Sequence, residues 1–218
     1  MQFSDRSEAG RQLASKLIRY ADRSDTLVLA LPRGGVPVAV EVARALHAPL
    51  DVLVVRKLGV PGHEELAIGA ATGVHGRVLN APVVAVRGVN ERVLEKVAVR
   101  EIREVERREL IYRRGRPAPE VRGKYVILVD DGSATGATMR AAIAALRAMH
   151  AGHVVVAVPV ASRESYFELR RLANEFVAVL IPRDFEAVGQ FYTDFEQTSD
   201  ADVRAFLQEN SLAQHAKH

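Results

Sequence analysis

Two adjacent carboxylates end an apolar run in the stretch "VILVDDGSATGAT", residues 126–138. A loop of small, hydroxyl and glycine residues follows them directly. Asp130 and Asp131 can accept charge-assisted hydrogen bonds from neutral hydroxyls, each worth about 1.5–3 kcal/mol. The two carboxylates would repel an anion, whereas a glycine-rich loop at a helix N-terminus attracts one. This spacing therefore favours a ligand that offers hydroxyls to the acids and a phosphate to the loop.

The loop supplies two kinds of donor for a phosphate. Small residues let backbone N–H groups approach a ligand closely, and hydroxyl side chains add further donors. The adjacent acids and this loop together match the vicinal hydroxyls and the terminal phosphate of a ribose 5-phosphate. The predicted phosphate-binding residues are Gly132, Ser133, Ala134, Thr135, Gly136 and Thr138.

Other interpretations of this stretch fit less well. A Walker A loop needs a lysine after its last glycine, and "ATGAT" has none. A dinucleotide-binding fingerprint needs the G-x-G spacing, which "GSATGA" lacks. The structural alternative is an acidic strand end followed by an ordinary helix cap, and two adjacent like charges would be a poor choice for a cap.

The elements that must position the loop are strands and helices in alternation. Continuous apolar runs that do not alternate with polar residues are typical of parallel strands buried on both faces. Such runs occupy residues 26–31, 51–55, 125–130, 153–160 and 176–181. Helical patterns lie between them at residues 35–47, 137–150 and 164–174. The pattern predicts an α/β fold with a doubly wound, mainly parallel sheet, whose strand ends carry the ligand site.

Two regions interrupt this alternation. Residues 56–90 contain six glycines and predict an irregular, flexible arm. Residues 90–114 predict a long charged helix with Asn90 as its N-cap. The narrow apolar stripe of that helix suits a surface helix or, alternatively, pairing with a second subunit in a homodimer. We expect a single domain with a core at about 22–182 and a C-terminal hood and helix at about 183–210.

Composition limits the functional classes. With 218 residues, 48% hydrophobic and 26% charged, the chain is typical of one globular domain. The absence of cysteine excludes a thiolate nucleophile and a cysteine metal site. No apolar run of membrane-spanning length and no signal peptide are visible, so we expect a cytoplasmic protein without a membrane partner. The formal charge of +3 is mild, and a nucleic acid is not an expected partner.

The stretch "VILVDDGSATGAT" resembles the ribose-phosphate-binding signature of the type I phosphoribosyltransferases, with four apolar residues, two acids and a Thr-Gly-x-Thr turn. The pieces "ALPRGGVPVA", "RKLGVPGHEELAIGA" and "FYTDFEQTSDADV" resemble a stand-alone branch of that family. The resemblance implies transfer of ribose 5-phosphate from 5-phosphoribosyl 1-diphosphate (PRPP) to a purine or pyrimidine base in nucleotide metabolism. Gly132 and Ser133 depart from the family, which usually has apolar residues there, and they predict a more flexible turn.

The resemblance also implies roles for individual residues. Asp130 and Asp131 would be catalytic and hold the ribose hydroxyls, and Lys57 would be a catalytic cation over the diphosphate. The other residues expected to face the diphosphate are Arg33, Gly34, Gly35 and Arg56. Mg²⁺ is the expected cofactor, held mainly through the diphosphate and the ribose hydroxyls rather than by a protein metal site.

Three questions stay open at this level. His63, Glu64 or Glu65 could act as acid or base, although Glu64 and Glu65 could equally begin a helix in "EELAIGA". Aromatic rings near the C-terminus could stack on a base or form a small satellite core. These rings are Phe185, Phe191, Tyr192 and Phe195. Finally, a regulator that binds PRPP with little or no transfer is an alternative to an enzyme.

Overall fold

A computed structural model describes the chain at residues 2–60, 63–72, 76–79 and 91–215. The strands are β1 (Thr26–Ala30), β2 (Leu50–Val52), β3 (Val55–Val60), β4 (His63–Thr72), β5 (Gly76–Leu79), β6 (Tyr125–Val129), β7 (His153–Val160) and β8 (Glu175–Leu180). The helices are α1 (Arg6–Leu17), α2 (Gly35–Leu46), α3 (Glu91–Arg113), α4 (Ala137–Ala148), α5 (Arg163–Leu172) and α6 (Asp200–His215).

Five strands form a parallel sheet in the order β2-β1-β6-β7-β8. Alternate strand residues point to opposite faces, and both faces are buried under helices. Val28 and Ile127 pack into one core with α1 and α2, whereas Leu29 and Leu128 pack into another with α4 and α5. The predicted doubly wound α/β fold is therefore confirmed. Strand β7 has the predicted bounds, and the ends of β1, β6 and β8 differ from prediction by one residue.

The predicted irregular arm is instead a second sheet. Strands β3, β4 and β5 pair antiparallel, with Lys57 opposite Ala70 and Gly69 opposite Leu79. Leu58 and Ala71 of this sheet are buried in the main core. Glycines suggested breaks in the sequence, but cross-strand pairing and burial override that weak local preference. The helix considered for "EELAIGA" is wrong because those residues lie within β4. Residues 73–75 and 80–90 of the predicted arm lie outside the described residues.

The helices at the two ends of the chain differ from prediction. Helix α1 was not predicted, although Asp5 is its N-cap and accepts a hydrogen bond from the N–H of Glu8 at 2.7 Å. Helix α6 continues to His215, beyond the predicted end near residue 210. Helix α3 confirms the long charged helix, while its proposed cap Asn90 lies outside the described residues. Among the helices described, none is both long and apolar enough to cross a membrane.

Candidate functional site

Two loops meet at the carboxyl edge of the parallel sheet. Strands β1 and β6 are neighbours with Ala30 opposite Val129, so the chain after each strand emerges at the same place. The N–H of Leu31 donates to the carbonyl of Val129 at 2.8 Å, which joins residues 31–35 to the end of β6. The peptide bond between Pro32 and Arg33 is cis. The predicted diphosphate loop and the predicted ribose-phosphate loop are thus adjacent.

Gly34 and Gly35 are required by close contact with the two acids. A Cβ on Gly34 would lie 2.0 Å from Oδ2 of Asp131. A Cβ on Gly35 would lie 2.7 Å from the carbonyl oxygen of Val129 and 3.2 Å from Oδ1 of Asp130. Any side chain would displace the carboxylates, so these glycines do more than turn the chain from strand to helix.

Arg6 binds Asp131 from the first turn of α1. Its Nε and Nη2 lie 2.9 and 2.8 Å from Oδ2 of Asp131, and its Nη1 donates to the carbonyl of Glu196 at 2.7 Å. The guanidinium also lies over the ring of Phe195, 3.9 Å from its centroid. Because both side chains of the pair are largely buried, at 11% and 15% exposure, Arg6 fixes where the Asp131 carboxylate points.

The environment disfavours two full negative charges at this point. Burial, together with the charge of Asp131, raises the pKa of Asp130 well above its ordinary value. Burial also raises the pKa of Asp131, and the Arg6 guanidinium opposes that shift. A pair of acids held close together at such a cost is expected to serve a ligand rather than the fold.

The loop after the acids leaves backbone donors available. Gly136 adopts a left-handed conformation with φ of 69° and precedes the first residue of α4. Within the described part of the chain, no acceptor contacts the N–H groups of Ala134, Thr135 and Gly136. The side chain of Arg140 donates to the carbonyl of Thr135 at 2.9 Å and so holds the loop from behind. These N–H groups and the exposed Thr138 at the start of α4 form an anion-binding arrangement.

Ser133 and Gly132 support the loop rather than line it. The N–H of Ser133 donates to the carbonyl of Val160 at 2.9 Å, and its buried hydroxyl lies 2.6 Å from that of Ser165. A Cβ on Gly132 would lie 2.5 Å from a methyl group of Val188. The turn is therefore packed on both sides, which differs from the predicted flexible turn and leaves Ser133 an unsuitable phosphate donor in this structure.

The C-terminal hood packs on the acids through a small aromatic core. The hydroxyl of Tyr192 donates to the carbonyl of Asp131 at 2.6 Å, and burial raises its pKa. Phe191 and Tyr192 are buried with Phe3, whose N–H donates to the carbonyl of Phe191 at 2.8 Å. For these two rings the satellite-core interpretation is confirmed. Phe195, 37% exposed, keeps an open surface beside Arg6.

Arg33 lies near an acid of the C-terminal helix. Its Nη1 is 3.9 Å from Oδ1 of Asp200, and the two side chains are 35% and 40% exposed. The same Asp200 oxygen accepts a hydrogen bond from Tyr112 at 2.7 Å. Burial and this hydrogen bond raise the pKa of Tyr112 to about 12. The Arg33 side chain is thus drawn toward α6 by a long, exposed ion pair.

Arg56 and Lys57 lie on β3, within the second sheet, and not at the end of a parallel strand as predicted. The Nε of Arg56 donates to Glu101 of α3 at 2.6 Å. Burial acts to raise the pKa of Glu101, but hydrogen bonds from Arg56 and Arg100 hold it below its ordinary value. No contact among the described residues joins Arg56 to the acid pair. The side chains of His63, Glu64 and Glu65 fall outside the described residues.

Sequence reasoning missed Arg6 and the hydrogen bond of Tyr192 to Asp131. Both contacts join residues more than 60 positions apart, so no local spacing reveals them. A signal for Arg6 does exist, because Asp5 followed by apolar Leu13 and Leu17 is the pattern of a capped helix. Among the described residues, no group of three acidic or histidine side chains could hold a metal.

Comparisons with known proteins agree with this geometry. A sequence model of the family described as "Phosphoribosyl transferase domain" matches residues 4–196. Two proteins of Mycobacterium tuberculosis, from strains CDC 1551 / Oshkosh and ATCC 25618 / H37Rv, are each 47% identical over 205 residues and are named as candidate phosphoribosyl transferases. The match covers 94% of this chain and 46% of each relative, so the chain spans about half the length of those relatives.

A solved structure supports the α/β fold. The crystal structure of TT1426 from Thermus thermophilus aligns with a TM-score of 0.89 and 45% identity, covering 96% of this chain and 99% of that one. A purine phosphoribosyltransferase from Pyrococcus horikoshii aligns at 18% identity and a TM-score of 0.45, over 82% of this chain and 84% of that one. That second likeness is too remote to carry an argument about the fold or the base.

Proposed function

Because the chain belongs to the phosphoribosyl transferase domain family, we propose that it transfers ribose 5-phosphate from PRPP to a nitrogenous base and releases diphosphate. The observation that carries this proposal is the pair Asp130 and Asp131 beside a loop whose N–H groups have no acceptor among the described residues. A single ligand with vicinal hydroxyls and a terminal phosphate can bind both the acid pair and the loop. The proposal rests on this chain's own residues, since the relatives are about twice its length.

The acids bind the sugar in this proposal. Arg6 occupies one oxygen of Asp131, which leaves the other oxygen and the Asp130 carboxylate as acceptors for ribose hydroxyls. As the bond to diphosphate breaks, positive charge develops on the sugar, as in glycoside hydrolysis. Negative charge on the acid pair, fixed close to the ring, stabilises that developing charge more than it stabilises the uncharged sugar of the substrate, which is the condition for catalysis.

The loop and the cations bind the two phosphate ends. The N–H groups of Ala134, Thr135 and Gly136, with the positive end of α4, would hold the 5-phosphate. Arg33 follows β1 next to the acids and would bind the diphosphate through its planar guanidinium. Because Arg56 and Lys57 are cations, they would also bind the diphosphate if the second sheet closes over it.

Mg²⁺ fits the chemistry of these donors. It prefers oxygen ligands, keeps several waters and is commonly held by one or two carboxylates together with phosphates, which matches a pair of acids beside a diphosphate. When bound, it would neutralise the diphosphate and so assist its departure. Asp130 and Asp131 would contact it through the ribose hydroxyls or water.

Titration calorimetry tests the proposal directly. PRPP with Mg²⁺ should bind wild-type protein, and omission of Mg²⁺ should weaken that binding. Asp130→Asn and Asp131→Asn should each weaken PRPP binding about tenfold to a hundredfold, because each removes a charged acceptor. Both variants should remain folded: burial already disfavours the charge of Asp130, whereas Asp131→Asn should lower the free energy of unfolding because it leaves the buried Arg6 guanidinium unpaired. No detectable binding at millimolar PRPP would contradict the proposal.

A second measurement separates an enzyme from a regulator. Protein, PRPP, Mg²⁺ and a panel of purine and pyrimidine bases are mixed, and diphosphate release is followed. Base-dependent release identifies the acceptor. PRPP binding that depends on Asp130 and Asp131, but yields no diphosphate with any base, would favour the regulatory alternative.

A further inference from the structure

Helix α3 has one buried face and one open face. Ala98, Val105 and Tyr112 are turned into the protein, where they are at most 3% exposed. The opposite face carries Val99 and Leu110, which are 43% and 69% exposed. Covering these two side chains in a helix–helix contact would remove apolar surface from water, which favours association.

The exposed stripe has the spacing of a helix–helix contact. Its members are Val99, Arg103, Glu106 and Leu110. They follow one another at intervals of 4, 3 and 4 residues, which is the spacing of core positions in a two-stranded coiled coil. Apolar residues stand at both ends of the stripe, and two opposite charges stand in its middle.

The charges within the stripe differ from those beside it in their pairing. Arg107 and Arg108 both bind Glu104, and together these hydrogen bonds lower its pKa to about 2. Over the described length of α3, no hydrogen bond or ion pair engages the side chains of Arg103 and Glu106. The neighbouring arginines are therefore neutralised, which disfavours the binding of a free anion at this face.

We propose that α3 is the contact through which two copies of this chain form an antiparallel dimer. A two-fold axis that passes between the two helices, level with the midpoint between residues 104 and 105, places Val99 against the partner's Leu110 and Arg103 against the partner's Glu106. The two pairs share one centre, so a single arrangement buries both apolar ends and pairs both charges. An interface of this kind is self-complementary, as two-fold symmetry requires.

The orientation follows from the same residues. A parallel pair would place Arg103 against the partner's Arg103 and Glu106 against the partner's Glu106. Like charges in the middle of a contact oppose it, and a polar core position commonly sets the orientation of paired helices. The dimer would also brace the helix whose Glu101 holds Arg56, so the two chains would stabilise each other's second sheet.

Sedimentation velocity on wild-type protein and three variants tests the dimer. Arg103→Glu and Glu106→Arg should each raise the dimer dissociation constant by about tenfold or more, because each places two like-charged pairs in the contact. An equal mixture of these two variants should form a heterodimer, and the Arg103→Glu/Glu106→Arg double variant should dimerise again. Circular dichroism should show an unchanged fold, since both side chains are exposed.

Cross-linking tests the orientation, and the chain helps because it has no cysteine of its own. A mixture of Val99→Cys and Leu110→Cys should form an inter-chain disulfide, whereas Val99→Cys alone should not. A bond within one chain is excluded because each variant carries a single cysteine.

A charge reversal away from the stripe is the matched control. Arg171→Glu changes an exposed residue on α5 and should leave the dimer unaffected. Wild-type protein that stays monomeric at about 100 μM would overturn the proposal. So would a dimer that survives both single reversals, or a disulfide formed by Val99→Cys alone.

Discussion

The acidic and the cationic halves of the site are built in different ways. Asp130 and Asp131 lie directly after β6, against the glycines that follow β1, and Arg6 and Tyr192 fix Asp131 from two sides. Arg33 and Arg56 are 35% and 40% exposed, and each is drawn toward an acid on a helix. The parallel sheet and its contacts fix the positions of the two acids. Each arginine, in contrast, must break its ion pair with a helix acid before it can bind a diphosphate.

The energies of the two halves differ accordingly. Removing one partner of a buried ion pair leaves an uncompensated charge and costs about 3–5 kcal/mol. An exposed pair contributes about 0–1 kcal/mol, since solvent screens it. We therefore expect large effects from changes beside Asp131 and small effects from changes beside Arg33.

Gly34→Ala should have the largest effect. Its Cβ would lie 2.0 Å from Oδ2 of Asp131, a carboxylate that Arg6 prevents from moving away easily. We expect PRPP affinity to fall about a hundredfold, since the acids lose their charged hydrogen bonds. We also expect a loss of about 1–3 kcal/mol in the free energy of unfolding. Calorimetry and urea denaturation measure the two effects.

The Gly34→Ala/Asp131→Ala double variant is its control. Without the carboxylate there is no clash, so adding Gly34→Ala to Asp131→Ala should cost less stability than Gly34→Ala costs in the wild-type protein, while PRPP affinity stays low. If Gly34→Ala binds PRPP like wild type, contact with the glycines does not fix the positions of the acids. The acids would then be no more rigidly held than the arginines.

The sequence predicted the acidic half well because its determinants are local. Apolar runs mark the strands, and parallel neighbours necessarily bring the chain after β1 and the chain after β6 to one edge. Gly34, Gly35, Asp130 and Asp131 therefore meet as predicted. The hydroxyl of Ser133, predicted to bind a phosphate, is instead directed inward in this structure by Ser165, a residue of α5 that no local pattern places beside it.

The cationic half could not be predicted in the same way. Arg56 was placed at the end of a parallel strand, but the chain leaves that sheet after Val52 and enters β3. Its partner Glu101 lies 45 positions away, and the Asp200 that attracts Arg33 lies on the C-terminal helix. Ion pairs between side chains far apart in the sequence have no periodicity, so only the folded chain reveals them.

Arg6→Gln should have the second-largest effect, and one that depends on pH. Without the guanidinium the pKa of Asp131, already raised by burial, rises further. PRPP affinity should fall about tenfold near neutral pH. On acidification, the further loss of PRPP affinity that follows protonation of Asp131 should begin at a higher pH than in wild type. Because a carboxyl with a raised pKa destabilises the fold in its charged form, the stability deficit should grow as pH rises.

Calorimetry across a pH series measures the change in PRPP affinity, and thermal unfolding across the same series measures the change in stability. Arg11→Gln, an exposed residue of the same helix, is the matched control and should change neither profile. A pH profile of PRPP binding identical to wild type in Arg6→Gln would show that Arg6 does not set the charge of Asp131.

Asp200→Asn should have the smallest effect and the opposite sign. Asparagine keeps an acceptor for the Tyr112 hydroxyl but removes the charge that attracts Arg33 at 3.9 Å. With Arg33 released toward the diphosphate, PRPP affinity should rise about twofold to fivefold, the range of a screened pair. Calorimetry measures the gain, and adding salt should reduce the difference from wild type, since screening weakens the same attraction. A loss of PRPP affinity would instead mean that Asp200 holds Arg33 in its binding position. Arg33, like the two acids, would then be in place before the ligand binds.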